Sequence, residues 1–242
     1  MRIEVWSDFV CPFCYIGKRR LEDALRQFDQ RDKVEVMYRS FELDPQARKE
    51  HGKSIHELLA AKYGMSLEQA RQANEGVGRQ AKEVGLDFRF DTMIPTNTFD
   101  AHRLAKFAER EGKGKEITER LLKAYFTDSK DLGDKDTLAD LAEEMGLNRT
   151  KVEGVLASNQ FATEVRDDEQ EAYQIGVKGV PFFVFNQKYA VSGAQPTEVF
   201  VNVLEKVWQE ENAAPVLQDL TSGSSATAFC TDEGCELPDE GK

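Results

Sequence analysis

The chain has 242 residues, of which 31% are charged and 40% hydrophobic, so it is long enough to bury its own core as one large domain or as a domain with an insertion. A net charge of −12 argues against nucleic acid or an anionic membrane surface as a partner. Transmembrane segments are excluded, because the sequence has no apolar run near the roughly 18 residues that a spanning helix needs.

The first predicted element is a short buried strand that ends at Val10 and leads directly into Cys11-Pro12-Phe13-Cys14. Apolar residues at near-helical spacing then predict a helix from Ile16 to Phe28, with Pro12 suited to its first turn. The cysteine pair therefore lies close to the unpaired N–H groups and the positive dipole end of a helix. Both features favour a thiolate, so we expect Cys11 to be reactive and Cys14 to form a disulfide with it.

Alternating residues from 33 to 41 predict a second strand, parallel to the first and joined to it by a right-handed crossover. Residues 44 to about 175 then indicate successive helices, with a capping box at Ser66 and Gln69 and glycine stops at Gly64 and Gly85. The predicted helices are Ser54–Tyr63, Ser66–Val84, Thr98–Glu111, Lys115–Thr127, Asp136–Met145, Lys151–Ser158 and Phe161–Ile175.

Strand patterns return after Gly179. Val180–Phe185 and Tyr189–Ser192 predict a hairpin, and a helix is predicted from Thr197 to Trp208. The tail from Gln209 is acidic, and we expect it to be mobile. It contains Cys230 and Cys235, whose spacing permits a loop closed by a disulfide.

Four stretches of the sequence resemble the DsbA-like branch of the thioredoxin fold, and most closely its FrnE-like cytoplasmic members. They are Ser7–Gly17, Asn97–Leu104, and Gly179–Phe183 with Ser192–Gln195. The resemblance covers roughly residues 1 to 208 and implies an α/β, thioredoxin-like fold with a large all-helical insertion domain and a C-terminal extension. The expected boundaries are 1–43 and 176–211 for the thioredoxin-like domain, 44–175 for the insertion and 212–242 for the tail.

The same resemblance implies the roles of the site residues. Cys11 is expected to be the exposed nucleophile, Cys14 the buried resolving thiol, and Pro181 a cis-proline that faces them. The backbone of Val180 is expected to hold a substrate strand, and Phe13 is the candidate for exposed apolar contact with substrate. FrnE-like members include proteins with a similar tail, which implies a second redox pair at Cys230 and Cys235.

Other roles remain open for several of these residues. One alternative is that Cys11 and Cys14 supply two of the four ligands of a structural zinc site. Neither cysteine pair has a histidine beside it, so we expect no metal. Of the histidines at 51, 56 and 102, His102 either lies near the active-site rim or, as we favour, lies on a helix face and makes one hydrogen bond. Asp8 and Lys18 either exchange protons with the buried thiol or are solvated. The aromatic residues of 182–185 are expected to be core.

These features predict a thiol–disulfide oxidoreductase that needs no cofactor besides its redox-active disulfide. Its expected partners are thiol- or disulfide-containing proteins or glutathione. Because the N-terminus leaves no room for a signal peptide and the cysteines are few, a cytoplasmic location is expected. Two alternatives remain. One is a glutathione-dependent isomerase or transferase of the kappa or hydroxychromene-carboxylate type, which generally carries Ser where Cys11 stands; the other is a redox-linked holdase chaperone.

Overall fold

The computed structural model describes residues 1–48 and 52–212, together with the backbone of two short strands at 229–231 and 234–236. His51 and most of the tail that we predict to be mobile therefore lie outside the described residues. The chain divides into two compact units, Met1–Trp208 and Gln209–Lys242. The thioredoxin-like and helical regions belong to the first of these units.

A four-stranded mixed sheet forms the centre of the first unit. Its strands are β1 (Arg2–Ser7), β2 (Glu35–Ser40), β3 (Phe182–Phe185) and β4 (Tyr189–Ser192), in the order β2-β1-β3-β4. β1 and β2 are parallel, whereas β3 is antiparallel to both of its neighbours. This topology confirms the predicted thioredoxin-like α/β fold.

Helix α1 (Pro12–Gln27) connects β1 to β2, and α9 (Thr197–Glu211) follows β4. Between β2 and β3 lie seven further helices in the described residues, close to the predicted bounds. They are α2 (Ile55–Tyr63), α3 (Leu67–Glu83), α4 (Phe99–Arg110), α5 (Gly114–Phe126), α6 (Lys135–Glu144), α7 (Arg149–Ala157) and α8 (Ala162–Gln174). The capping box of Ser66 and Gln69 begins α3 as predicted.

Apolar residues cover both faces of the sheet. Phe183 and Phe185 are fully buried in a core that contains Phe200 of α9, whereas Phe182 and Val184 are half-buried on the opposite face. The period of two along β3 thus directs alternate side chains into two different cores. The core position expected for residues 182–185 is thus confirmed for Phe183 and Phe185, whereas Phe182 and Val184 are only partly covered. The helical region forms its own large cluster, to which Phe9, Tyr15 and Ile16 contribute.

The first strand is shorter than predicted. β1 ends at Ser7, and Phe9 and Val10 lie in a turn that is closed by a 3.2 Å hydrogen bond from the Cys11 N–H to the Asp8 carbonyl. Phe9 is buried in the core of the helical region rather than against the sheet. An apolar run in the sequence does not distinguish a residue that packs in the sheet from one that packs against helices. Phe9 is of the second kind. Among the described helices, none is long and apolar enough to cross a bilayer.

Candidate active site

The cysteine motif lies at the N-terminus of α1, as the sequence predicts. Cys11 is the N-cap residue and has extended backbone angles, while Pro12 occupies the first helical turn. The Cys14 N–H donates a hydrogen bond to the Cys11 carbonyl at 3.0 Å, so the two cysteines lie at the two ends of one turn. Both thiols are free.

The loop before β3 faces this turn. The Val180–Pro181 peptide bond has the cis form that the resemblance implies, and the Cys11 thiol donates to the Val180 carbonyl with a sulfur–oxygen distance of 3.5 Å. Pro181 is buried against α1 at Gly17, where a β-carbon would lie 3.1 Å from the Pro181 ring. Glycine at position 17 thus permits the close approach of this loop to the helix.

Cys11 is less accessible than the resemblance implies. Only 5% of the residue is exposed, so the expectation of an exposed nucleophile is wrong in this structure. The reason is the close approach of the Val180 carbonyl, which accepts the thiol hydrogen bond from one side, together with the neighbouring Cys14.

Cys14 is buried, as expected for a resolving thiol. Burial raises the pKa of the Cys14 thiol well above its ordinary value, and the hydrogen bond and charge of Cys11 raise this pKa further. Two hydrogen bonds act in the opposite direction, one from the Ser7 side chain and one from the Asp8 backbone. Ser7 is a site residue that the sequence analysis missed, although it is the residue with which the Ser7–Gly17 stretch begins.

Asp8 is buried and is not solvated, in contrast to one of the two alternatives left open for it. One carboxylate oxygen accepts a 2.8 Å hydrogen bond from the Leu43 N–H, and the other lies 3.3 Å from Nε2 of His102. The residue thus joins the cysteine turn to the segment after β2 and to α4. Its side chain thus anchors the turn between β1 and α1 to two other parts of the chain.

His102 lies beneath the cysteine turn. It makes the single hydrogen bond that we expected of a helix-face histidine, and its ring packs at 4.7 Å from the ring of Phe9. Its partner, however, is Asp8, three residues before Cys11. His102 therefore contacts the site from below and is fully buried there, instead of lying at its rim.

Lys18 belongs to an ion cluster between α1 and α5. It is buried, and it donates to Glu22 and Glu119, so it is not solvated. Arg19 and Tyr15 also donate to Glu119. Burial alone would raise the pKa of Glu119, but the hydrogen bond from Arg19 and the charge and hydrogen bond of Lys18 lower this pKa to about 2. The cluster links the active-site helix to the helical region.

Two apolar side chains are exposed near the cysteines. Phe13, between them, is 39% exposed, and Leu43, whose N–H bonds to Asp8, has a similar exposure. Phe13 thus has the accessibility that its predicted role requires, and Leu43 is a second apolar residue that the sequence analysis missed. Only the fold places position 43 beside position 8.

In the described residues, no group of three or more His, Cys, Asp or Glu side chains is arranged to hold a metal ion. The second unit contains a short antiparallel hairpin of β5 (Phe229–Thr231) and β6 (Gly234–Glu236). Its register places Cys230 directly opposite Cys235.

Comparison with known proteins gives consistent results. The model of the DSBA-like thioredoxin domain family matches residues 2–205 of this chain. YwbO of Bacillus subtilis (strain 168), an uncharacterized protein, is 30% identical over 202 residues, which are 83% of this chain and 94% of YwbO. The crystal structure of the probable DsbA oxidoreductase SCO1869 from Streptomyces coelicolor has a TM-score of 0.84 and 41% identity, and the alignment covers 98% of this chain and 99% of that one. The cytosolic disulfide reductase DsbM from Pseudomonas aeruginosa shares the fold at 14% identity, with a TM-score of 0.62 and coverage of 87% and 100%.

Proposed function

The chain belongs to the family of DSBA-like thioredoxin domains, and on that premise we propose that it is a thiol–disulfide oxidoreductase that uses Cys11 and Cys14. The observation that carries the proposal is the position of the two free thiols, side by side in the first turn of α1 and opposite the cis Val180–Pro181 bond. Cys11 is the nucleophile, since its thiol faces the Val180 loop, whereas Cys14 is more deeply placed beside Ser7.

The reaction is thiol–disulfide exchange. In the reducing direction, the Cys11 thiolate attacks a substrate disulfide and one substrate thiol leaves. Cys14 then attacks the mixed disulfide at Cys11, which releases the second substrate thiol and leaves the Cys11–Cys14 disulfide. The oxidising direction reverses these steps, and the reduction potential of the pair relative to its compartment decides which direction dominates.

Substrate recognition follows from the surroundings of Cys11. Phe13, between the cysteines, and Leu43, whose N–H bonds to Asp8, supply exposed apolar surface. The backbone of Val180, which lies shortly before strand β3 and contacts Cys11, would form a short β-type pairing with an extended substrate. This combination fits polypeptide thiols or disulfides. Glutathione is a second exchange partner, and a solved structure of DsbM with GSH has the same fold.

We assign an auxiliary redox role to Cys230 and Cys235. Residues directly opposite each other in an antiparallel pair have Cα atoms roughly 4.5–5.5 Å apart, which lies within the range that a disulfide spans. The pair would exchange with an active-site disulfide from the same chain. Replacing both tail cysteines by serine should then slow the reduction of the oxidised active site by glutathione, measured by alkylation and mass spectrometry.

Trapping the mixed disulfide tests the proposed activity. In a Cys14→Ser variant the second attack is blocked, so substrates remain attached to Cys11. They can then be recovered from a cytoplasmic lysate. The Cys11→Ser variant is the matched control and should capture nothing. Recovered proteins support the oxidoreductase. Recovery of glutathione alone, with insulin reduction absent in the unmodified protein, would instead favour a glutathione-dependent isomerase or transferase.

The isomerase alternative makes a distinct prediction for Cys11→Ser. An enzyme that activates bound glutathione would retain activity with serine at this position, whereas a dithiol enzyme loses turnover. The structure contains a second thiol in contact with the first, which the isomerase reaction does not require. This contact is the reason for preferring the oxidoreductase.

A further inference from the structure

Strand β2 forms an edge of the described four-stranded sheet, in which β1 is its only neighbour. An edge strand directs a row of backbone N–H and C=O groups away from the sheet, and these groups can pair with another extended chain. The Glu35 N–H donates to the Met1 carbonyl at 3.0 Å, so Glu35 faces β1. Because successive residues of a strand alternate between its two sides, the even-numbered residues of β2 direct their backbone groups outward.

Helix α8 already occupies one end of this outer edge. The Ser40 N–H donates to the Asp168 carboxylate at 2.7 Å. The N–H of Glu42, just after β2, donates to the Glu169 carboxylate at 3.1 Å. These bonds agree with the outward direction of the even-numbered residues, and they close the edge at the end nearest the cysteine turn.

The remaining outward residues of β2 are Val36 and Tyr38. Within the part of the chain that the structure describes, the outward N–H and C=O groups of these two residues form no hydrogen bond. We call residues 36–38 the open edge. It presents two donors and two acceptors, which is the pattern that an added β-strand satisfies.

A cleft of about 430 Å³ runs along the open edge. All six residues of β2 line it on one side, and residues of α4 and of the start of α5 line it on the other. A second cavity, of about 550 Å³, borders Val36 and Tyr38 on the side of α1. Open space thus adjoins both residues whose outward backbone groups are unpaired.

The walls of the cleft favour a single extended segment as its occupant. A strand that pairs with β2 would lie about 4.8 Å from it, which places the strand between β2 and the two helices. The β2 strand of a second copy does not fit this description, because every copy carries its own α4 and α5 in front of its open edge. Two open edges therefore cannot meet.

Charge at the cleft favours an acidic occupant. Lys115 of α5 lines both cavities, and among the described residues no carboxylate lies within ion-pair distance of its ammonium group. The other lysines and arginines that line the two cavities all have carboxylate partners. They are Lys18, Arg19, Arg39 and Lys106.

We propose that the open edge binds an extended, acidic segment of a partner polypeptide as an added strand beside β2. Val36 and Tyr38 exchange backbone hydrogen bonds with the segment, whose alternate side chains enter the two cavities, and Lys115 pairs with its acidic residue. Asp168 and Glu169 separate this site from the cysteine turn. The site is therefore distinct from the one that holds a substrate at Cys11, and binding there needs no thiol.

A labelled peptide without cysteine tests this proposal on the reduced, full-length protein. The probe is short, is blocked at both ends, and alternates valine with threonine around one central glutamate. Fluorescence anisotropy should show saturable binding, which weakens when lysine replaces the glutamate. Two further probes carry N-methyl groups on the odd or on the even residues. One of these two should lose binding and the other should keep it, because an added strand pairs through one of its sides only.

Val36→Pro removes the outward N–H and places a ring at the open edge, where proline is tolerated because that N–H does not serve the sheet. Affinity for the glutamate peptide should fall at least tenfold, since a backbone bond is lost and its partner group is left unpaired. Val36→Ala, the matched control, keeps the N–H and should stay within about threefold of the unmodified protein.

The charge contribution has its own pair of variants. Lys115→Glu should weaken binding of the glutamate peptide and improve binding of the lysine peptide. Lys123→Glu, at an exposed position of the same helix that lines neither cavity, should change neither affinity.

Amide hydrogen exchange followed by NMR tests the backbone pairing without any substitution, so it decides the matter even if Val36→Pro fails to fold. The amides of Val36 and Tyr38 should exchange rapidly in the free protein and become protected when the peptide binds. The amide of Met37, which faces β1, should be protected in both states.

Three results would overturn the proposal. The first is the absence of saturable peptide binding up to about 1 mM. The second is an equal effect of the two N-methylated probes. The third is a concentration-dependent dimer that Val36→Pro abolishes, which would assign the open edge to a second copy. Insulin reduction should be the same in Val36→Pro and in the unmodified protein. Its absence from both would refute the proposed redox function and leave the peptide site standing.

Discussion

The Glu119 carboxylate of α5 should contribute measurably to the stability of the fold. Its pKa is lowered from 4.5 to about 2, since the interactions with Arg19 and Lys18 outweigh its burial. At about 1.4 kcal/mol per unit, this difference corresponds to roughly 3 kcal/mol before solvent screening. Because 33% of the Glu119 side chain is exposed, screening reduces the effect, and we expect Glu119→Gln to lower the free energy of unfolding by about 1–2 kcal/mol at pH 7.

The pH dependence gives this prediction its sign. A lowered pKa in the folded state stabilises the protein fully above the unfolded value of 4.5, and the contribution is lost as the pH falls toward 2. The difference between the unmodified protein and Glu119→Gln should therefore disappear over this interval. Urea unfolding at several pH values measures it.

Glu116→Gln provides a control on the same helix. Glu116 is 49% exposed and pairs with Lys113 at 3.6 Å, so its replacement should change stability by less than about 0.5 kcal/mol. Equal losses for the two variants, or a loss in Glu119→Gln that stays constant from pH 7 to pH 2, would refute the reasoning.

Two further predictions concern packing. Gly17→Ala should lower the free energy of unfolding by about 1–3 kcal/mol, because the new methyl group would lie 3.1 Å from Pro181. Gly154→Ala, in an open helical position, should instead raise it by about 0.5–1 kcal/mol, and urea unfolding compares the two. Arg103→Ala should lower the free energy of unfolding by about 3–5 kcal/mol. The buried Arg103 side chain donates to Asp100 and to three backbone carbonyls in and just after the last turn of α7. Arg110→Ala, at an exposed position on the same helix, should cost less than about 1 kcal/mol in the same assay; comparable losses would contradict this account.

The sequence by itself determined the elements and the chemistry of the cysteine turn. Helical spacing and local caps such as Ser66 with Gln69 act within one or two turns, so the helices from α2 to α8 were predictable to within a few residues at each end. The uninterrupted apolar run of residues 182–185 identified a strand that packs against apolar residues on both faces. The position of Cys11 at a helix start likewise depends only on neighbouring residues.

Only the tertiary structure decided what surrounds the two thiols. His102 lies 94 positions after Asp8, and no local pattern relates them, yet the fold joins them by a hydrogen bond beneath the cysteine turn. The burial of Cys11 depends on the Val180 carbonyl, 169 positions away, and the pairing of Lys18 depends on Glu119. From sequence alone, charged side chains are expected to be solvated. The partners that compensate their burial come from distant segments, which meet only when the chain folds.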